Sequence, residues 1–117
     1  MTKTKDFLQI AKDAAQALDL KFGKEITVLD ISNISTIADF FIITSASSPN
    51  QMQAMIEGVE EAMAKHGVRI HHIEGQQRAD WILMDYGDFI IHMFNEESRV
   101  FYDLERTWRD STVVDWE

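Results

Sequence analysis

The sequence predicts a single α/β (α+β) domain, a mixed sheet of about five strands flanked by helices. Three observations carry this. The 117-residue length suits one core, because two would leave each half near the size at which burial no longer offsets chain entropy. Hydrophobic residues make up 45% of the chain against 26% charged, with seven Phe, three Trp and six Met, the balance of an ordinary globular protein. Along the chain, apolar spacing switches repeatedly between the helical period and the strand period.

Lys5 to Leu20 place Phe7, Ala11, Ala14 and Leu18 at helical spacing, with Leu8 and Ala15 widening the stripe and Gly23 following as a stop. Glu25 to Ile31, short and rich in β-branched residues, reads as a strand. The polar stretch Ser32 to Thr36 separates it from a second strand, Ala38 to Ser45, which is apolar on both faces as a central strand should be.

Ser48-Pro49-Asn50-Gln51 reads as a capping box, with Ser48 as N-cap, Pro49 at the first helical position and Gln51 reaching back. Met52, Met55, Ile56, Val59 and Met63 form the buried stripe of that helix, and Gly67 suits a left-handed C-terminal cap. A methionine stripe at this spacing is core packing before it is a ligand groove. Val68 to Ile73 gives a third strand, Glu74 to Arg78 a loop, and Asp80 to Asp85 a fourth strand.

Tyr86-Gly87 is expected to be a two-residue turn into a last strand, Asp88 to Phe94, although Tyr is poorly suited to positive φ at the first turn position. Asn95 then caps a helix with Glu96 and Glu97 in its first turn, and Val100, Leu104 and Trp108 repeat along it. The domain is expected to span residues 1–109, with 110–117 a tail of no readable period.

Alternation sorts the hairpin into two faces. Ile82, Met84, Phe89, Ile91 and Met93 are purely apolar and should pack beneath helices. The other face carries Trp81, Leu83, Asp85, Asp88, Ile90, His92 and Phe94; with this turn, Asp85 faces Asp88, Leu83 faces Ile90 and Trp81 faces His92. Large apolar groups beside carboxylates and an imidazole are what protein interfaces are enriched in. The alternative is that another helix covers this face and Trp81 is ordinary core.

A net charge of −9 repels nucleic acid, so direct DNA contact is not expected and RNA contact should be slight. The same charge suits a basic protein partner, or simply solubility. The lack of Cys removes disulfide frameworks, thiolate metal sites and Cys nucleophiles. The segment MTKTKDFLQI has no apolar signal-peptide region and no run approaches the ~20 apolar residues of a membrane span, so a cytoplasmic location and no membrane partner are expected.

Catalytic readings are weaker. Nucleotidyl transfer needs two carboxylates on one face of one strand, usually as Asp-x-Asp, whereas Asp85 and Asp88 flank a turn with no Gly-Ser pair upstream. His71 and His72 are adjacent in a strand and point to opposite faces, so they do not chelate one ion, and His66 fits a helix end. His92 has no nucleophile beside it and reads first as a hydrogen-bonded structural residue. Thr44 to Ser48 lacks the glycines of a phosphate loop. No catalytic, metal or cofactor site is therefore assigned. The rival readings are a metal-dependent nucleotidyltransferase-like enzyme using Asp85 and Asp88, and a dimeric adaptor domain.

Taken together, Ala38-Asp39-Phe40-Phe41-Ile42-Ile43 with Ser45, Ser47-Ser48 and Gln51, then Glu74-Gly75, Ala79 to Asp88 running into His92, and Arg99, Tyr102, Leu104, Glu105 and Trp108 resemble the ribosomal silencing factor, or Iojap, family in order and spacing. The resemblance spans nearly everything from Glu25 to Trp108; Ala46 stands where Gly is common, and the chain beyond Arg109 falls outside it. It implies a nucleotidyltransferase-like fold without that active site. It also implies a translation repressor that binds a basic large-subunit protein, number fourteen of the L series, blocks joining of the small subunit when nutrients are scarce, and is a homodimer when free. On this reading Trp81, Leu83 and Ile90 anchor the partner. Asp39, Asp85, Asp88 and Glu96 pair with its basic groups, and Phe40 and His92 complete the set.

Overall fold

The computed structural model describes residues 6–117. Helix α1 (Phe7–Leu20) starts at Asp6, whose carboxylate accepts from Gln9 N–H at 3.2 Å; Lys5, the expected first residue, lies outside the described residues. Ile10, Ala11, Ala14, Ala15, Ala17 and Leu18 are its buried side, while Leu8 turns outward. At its end Phe22, not Gly23, takes the left-handed conformation (φ 64°). Gly23 serves close packing instead, since a Cβ there would sit 2.9 Å from Thr44 Oγ1 and 3.1 Å from Leu18 O.

Strand β1 (Lys24–Asp30) pairs antiparallel with β2 (Phe40–Ala46), through a register shift between Lys24 and Thr27 where Glu25 has φ 48°. Every residue of β2 is buried, as its two-faced apolar sequence requires. Helix α2 (Pro49–Lys65) is capped by Ser48 Oγ, which accepts from Gln51 N–H at 3.1 Å. The Gln51 side chain accepts from Ser47 N–H (2.7 Å), one residue before the expected N-cap position. Its amide also donates to Lys21 O and Phe22 O, tying the start of α2 to the α1–β1 turn. The methionine stripe is buried, and Gly67 follows the C-cap residue His66 with φ 70°.

Strand β3 shrinks to His72–Glu74, against the expected Val68–Ile73. The reason is its partner: β4 (Trp81–Asp85) ends at Asp85, which pairs with His72, so Val68 to Ile70 have no ladder to join and pack loosely on the core.

Strand β5 (Phe89–Asn95) returns antiparallel to β4 in a register two residues from the expected one. Trp81 lies opposite Phe94, Leu83 opposite His92 and Asp85 opposite Ile90, with Tyr86 N–H donating to Phe89 O at 3.0 Å. Gly87 and Asp88 are the turn. This puts Gly87, with φ 89°, at the position where positive φ is required and spares Tyr86 from it. A shift of two preserves the faces, so the alternation survives while every expected partner changes.

Helix α3 (Glu96–Tyr102) is capped by Asn95 Oδ1, which accepts from Ser98 N–H at 2.7 Å. The expected continuous last helix breaks at Asp103 (φ 44°), and α4 (Leu104–Thr107) follows. The break turns Val100 outward, 79% exposed, and brings Leu104 and Trp108 back onto the sheet.

The segment expected to be a tail supplies a sixth strand, β6 (Thr112–Val114), antiparallel to β1, and Trp116 Nε1 donates to Ile26 O at 3.1 Å. The sheet order is β3-β4-β5-β2-β1-β6, mixed because β2 and β5 run parallel in its centre. One side of the sheet packs under α1 and α2 through Val28, Ile42, Met84, Phe89 and Ile91. On the other, Leu29, Phe41, Ile43, Ile90 and Phe94 are buried, with Trp81, Leu83, Leu104 and Trp108 packed against them and themselves partly exposed.

Candidate docking face

The side of the sheet that carries Trp81 is where the expected site residues divide. Trp81 stands on β4 at the end paired with Phe94, and its ring centroid lies 5.1 Å from that of Phe94 and 4.6 Å from that of Tyr102. It is half-buried. Trp81, Leu83 and Tyr102 form the apolar floor of an open cleft of about 300 Å³ whose rim carries Glu74, Asp80 and Arg78.

Trp81 Nε1 donates to His92 Nδ1 at 3.1 Å. An indole nitrogen only donates, so His92 Nδ1 must be the bare, accepting nitrogen of a ring whose proton sits on Nε2. Burial pushes the His92 pKa down to about 4, so the ring is neutral near pH 7. Its Nε2 is buried with no hydrogen-bond partner among the described residues. The imidazole meets the Phe41 ring edge-on at 4.7 Å, and Phe41 in turn meets Trp108 edge-on at 4.9 Å.

Ile90 and His92, expected on the exposed pad, are only 6% and 4% exposed in the single chain. They are covered because the parallel pairing with Phe41 and Ile43 draws β5 into the centre of the sheet, beneath the C-terminal helical turns. Phe40 is also buried, and on the opposite side, within the core under α1 and α2. The accessible apolar members are therefore Trp81 and Leu83.

The carboxylates separate by position. Asp39 N–H donates to Asp88 O at 2.8 Å, so these two exposed residues meet where β2 starts and the hairpin turns. Asp85 is nearby and half-buried: Oδ1 accepts from Gly87 N–H at 2.8 Å, and Oδ2 lies 3.7 Å from His72 Nδ1. It stabilises the turn, a role that the residue spacing did not disclose. Along β4, Asp85 is four residues from Trp81, roughly 14 Å at strand rise, with Leu83 between them on the same face. Glu96 is not part of this acidic end. It lies at the opposite end of β5 and pairs with Lys24 at 3.1 Å.

Tyr102, Glu74, Asp80 and Arg78 were not among the expected contacts. Tyr102 was hidden because it falls outside the Val100, Leu104 and Trp108 repeat that marks the last helix in the sequence. Among the described residues no group of three or more His, Asp or Glu is arranged to hold a metal ion, and no helix is long and apolar enough to cross a membrane.

A mixed sheet flanked by helices, with an aromatic cleft lined by Glu74, Asp80 and Arg78 on one side, defines an α+β protein. Comparison with known proteins specifies which kind. Residues 4–117 match the family described as ribosomal silencing factor during starvation, and the chain belongs to that family.

Ribosomal silencing factors of Halalkalibacterium halodurans and Bacillus subtilis are each 36% identical to it, over 104 and 106 residues. The first match covers 89% of both chains; the second covers 91% of this chain and 90% of the other. A crystal structure of a Chromobacterium violaceum protein superposes with a TM-score of 0.84 at 31% identity, covering 89% of this chain and 87% of that one. A more distant mouse protein, called mitochondrial assembly of ribosomal large subunit protein 1, is 30% identical over 90 residues, 74% of this chain and 39% of its own length.

Proposed function

We propose that this chain represses translation by docking on the large ribosomal subunit through a basic protein there, number fourteen of the L series, so that the small subunit cannot join when nutrients are limiting. The observation that carries the reading is the half-buried Trp81 on the floor of an open cleft whose rim carries two carboxylates, Glu74 and Asp80, against one cation, Arg78. An aromatic anchor beside carboxylates, on a chain of net charge −9, complements a Lys- and Arg-rich surface and disfavours bare RNA. Family membership supports a ribosomal role, and the name of the mouse relative supports the large subunit.

In this reading Trp81 and Leu83 bury apolar area against the partner, and Asp85, Asp88 and Asp39 steer its cationic groups. Ile90 and His92 support the face from beneath, Phe40 backs it only from the opposite side of the sheet, and Glu96 stands at its far margin. The chain acts by occupancy and not by catalysis, on a nucleotidyltransferase-like frame, in the cytoplasm where its target resides. It pairs as a homodimer when free.

Sucrose-gradient cosedimentation with isolated large subunits tests this. The wild-type chain should travel with large subunits and not with small ones. Trp81→Ala should bind the large subunit at least tenfold more weakly while melting cooperatively, as expected of an interface anchor worth ~2 kcal/mol. A folded Trp81→Ala variant that cosediments like wild type would refute the reading.

A further inference from the structure

We propose that His92 is a positioning residue for docking: it does not touch the partner but holds the Trp81 indole, through the Nε1 to Nδ1 hydrogen bond, in the orientation that floors the cleft. The proposal rests on the reading of Trp81 as the anchor.

Three observations carry it. Only 4% of His92 is exposed, so it offers a partner almost no surface, yet it bonds directly to the one ring that lies half in the cleft and half in the core. Trp81 and His92 are not cross-strand partners; the register places Trp81 opposite Phe94 and Leu83 opposite His92. The hydrogen bond is therefore diagonal, and it selects one tilt of the indole from those the strand geometry permits.

The third observation is the cost. Accepting from Trp81 forces the imidazole proton onto Nε2, which is buried without an acceptor among the described residues. A phenylalanine at this position would fill the space among Phe41, Phe94 and Trp81 without that cost, so packing alone does not call for a histidine. What only the histidine supplies is an acceptor for the indole.

The neighbours of the ring are Trp81 and Leu83 from β4, Phe41 and Ile43 from β2, and Phe94 from β5, none of them charged. Trp81 Nε1–H is thus bound to a neutral acceptor near pH 7 and must lose it when the imidazole gains a second proton.

The test compares His92→Phe, which removes the acceptor, with His92→Asn, whose amide oxygen can occupy the place of Nδ1. Two readouts are used: binding to isolated large subunits, and the Trp81 indole N–H signal in ¹⁵N NMR, assigned with Trp81→Phe. His92→Phe should weaken binding roughly tenfold and speed exchange of the Trp81 N–H, and His92→Asn should recover most of both. Adding His92→Phe to Trp81→Ala should cost no further affinity, because the effect runs through the indole.

Additive losses, or an unchanged indole signal in folded His92→Phe, would overturn the proposal while leaving Trp81 as anchor. Unaltered binding by Trp81→Ala would instead remove the anchor, and the proposal with it. Should the variants fold poorly, the unmodified chain still decides. As pH falls through the titration of His92, the Trp81 N–H signal must shift in step, and an indole signal indifferent to that titration overturns the assignment.

Discussion

Arg99 grips Glu105 with two donors, Nε at 3.3 Å and Nη2 at 3.0 Å, across the break between α3 and α4, while its Nη1 donates to Lys24 O at 3.1 Å on β1. The guanidinium, buried to all but 7% of the residue, thus fastens the C-terminal helical turns to the sheet. These turns carry Tyr102 to the cleft and Leu104 and Trp108 to the same side of the sheet.

Removing Glu105 leaves a buried cation with only the Lys24 carbonyl and Thr27 Oγ1 for partners. Glu105→Ala should therefore destabilise the fold by about 2 kcal/mol. Arg99→Met, which removes the charge as well, should cost less per atom lost but should still loosen Trp108. Denaturant melts followed by tryptophan fluorescence would measure both, and a Glu105→Ala midpoint equal to wild type would refute the clamp.

Gly75 has φ 87°, and a Cβ there would strike the carbonyl of Trp81. Gly75→Ala should lower stability by at least ~2 kcal/mol through backbone strain and displacement of the loop. Because the obstacle is backbone, no rotamer change relieves it. The cleft should deform with the loop, so large-subunit affinity should fall together with the melting temperature.

The buried His92 makes stability depend on pH. Its folded pKa lies near 4, below the ordinary 6.5, so the unfolded chain binds the extra proton first. The contribution of the neutral ring is complete above about pH 6.5 and is lost as pH falls from there through 4. At ~1.4 kcal/mol per pH unit, the loss over that window is on the order of 3 kcal/mol. Urea midpoints at pH 7 and pH 4.5 should show this fall, and His92→Phe should flatten it relative to wild type.

Tyr86 gives the alkaline counterpart. Burial first, and the charge of Glu60 second, push its phenol up to about 12 from 10. A neutral form favoured in the folded state means that stability is kept below pH 10 and lost as pH rises toward 12. In a Tyr102→Phe background, where Tyr86 is the sole tyrosine, absorbance at phenolate wavelengths should rise only near that pH or upon unfolding.

Much of the fold could be read in advance because alternation and helical spacing report burial directly. Ile82, Met84, Phe89, Ile91 and Met93 were assigned to one face by period alone, and all five lie in the core under α1 and α2. Register was harder, because placing the turn at Tyr86-Gly87 or at Gly87-Asp88 preserves the faces and changes only the pairing. The strand Thr112–Val114, three residues long, is too short to show any period and exists because the edge of β1 is there to receive it. The break at Asp103 escaped notice because Val100, Leu104 and Trp108 keep a helical interval across it.

The composition of the face carrying Trp81 was legible in the sequence, but its depth was not. Trp81 and Leu83 are partly exposed and line the cleft. Ile90 and His92 share their face and nevertheless lie beneath, since alternation tells which side of a sheet a residue takes and not what later folds over it. The link from Trp81 to His92 depends on the register and was invisible without it.

The parallel ladder at the centre of the sheet joins residues 40–46 to 89–95, and every residue of β3 and β4 lies between them in the chain. Bringing such distant segments together requires an entropic loss before any contact rewards it. During synthesis, then, β2 waits without its parallel neighbour β5 while α2, β3 and β4 are made. The floor of the cleft, which Trp81 on β4 and Tyr102 on α3 share, therefore assembles only once residues 89–95 are present to pair with β4.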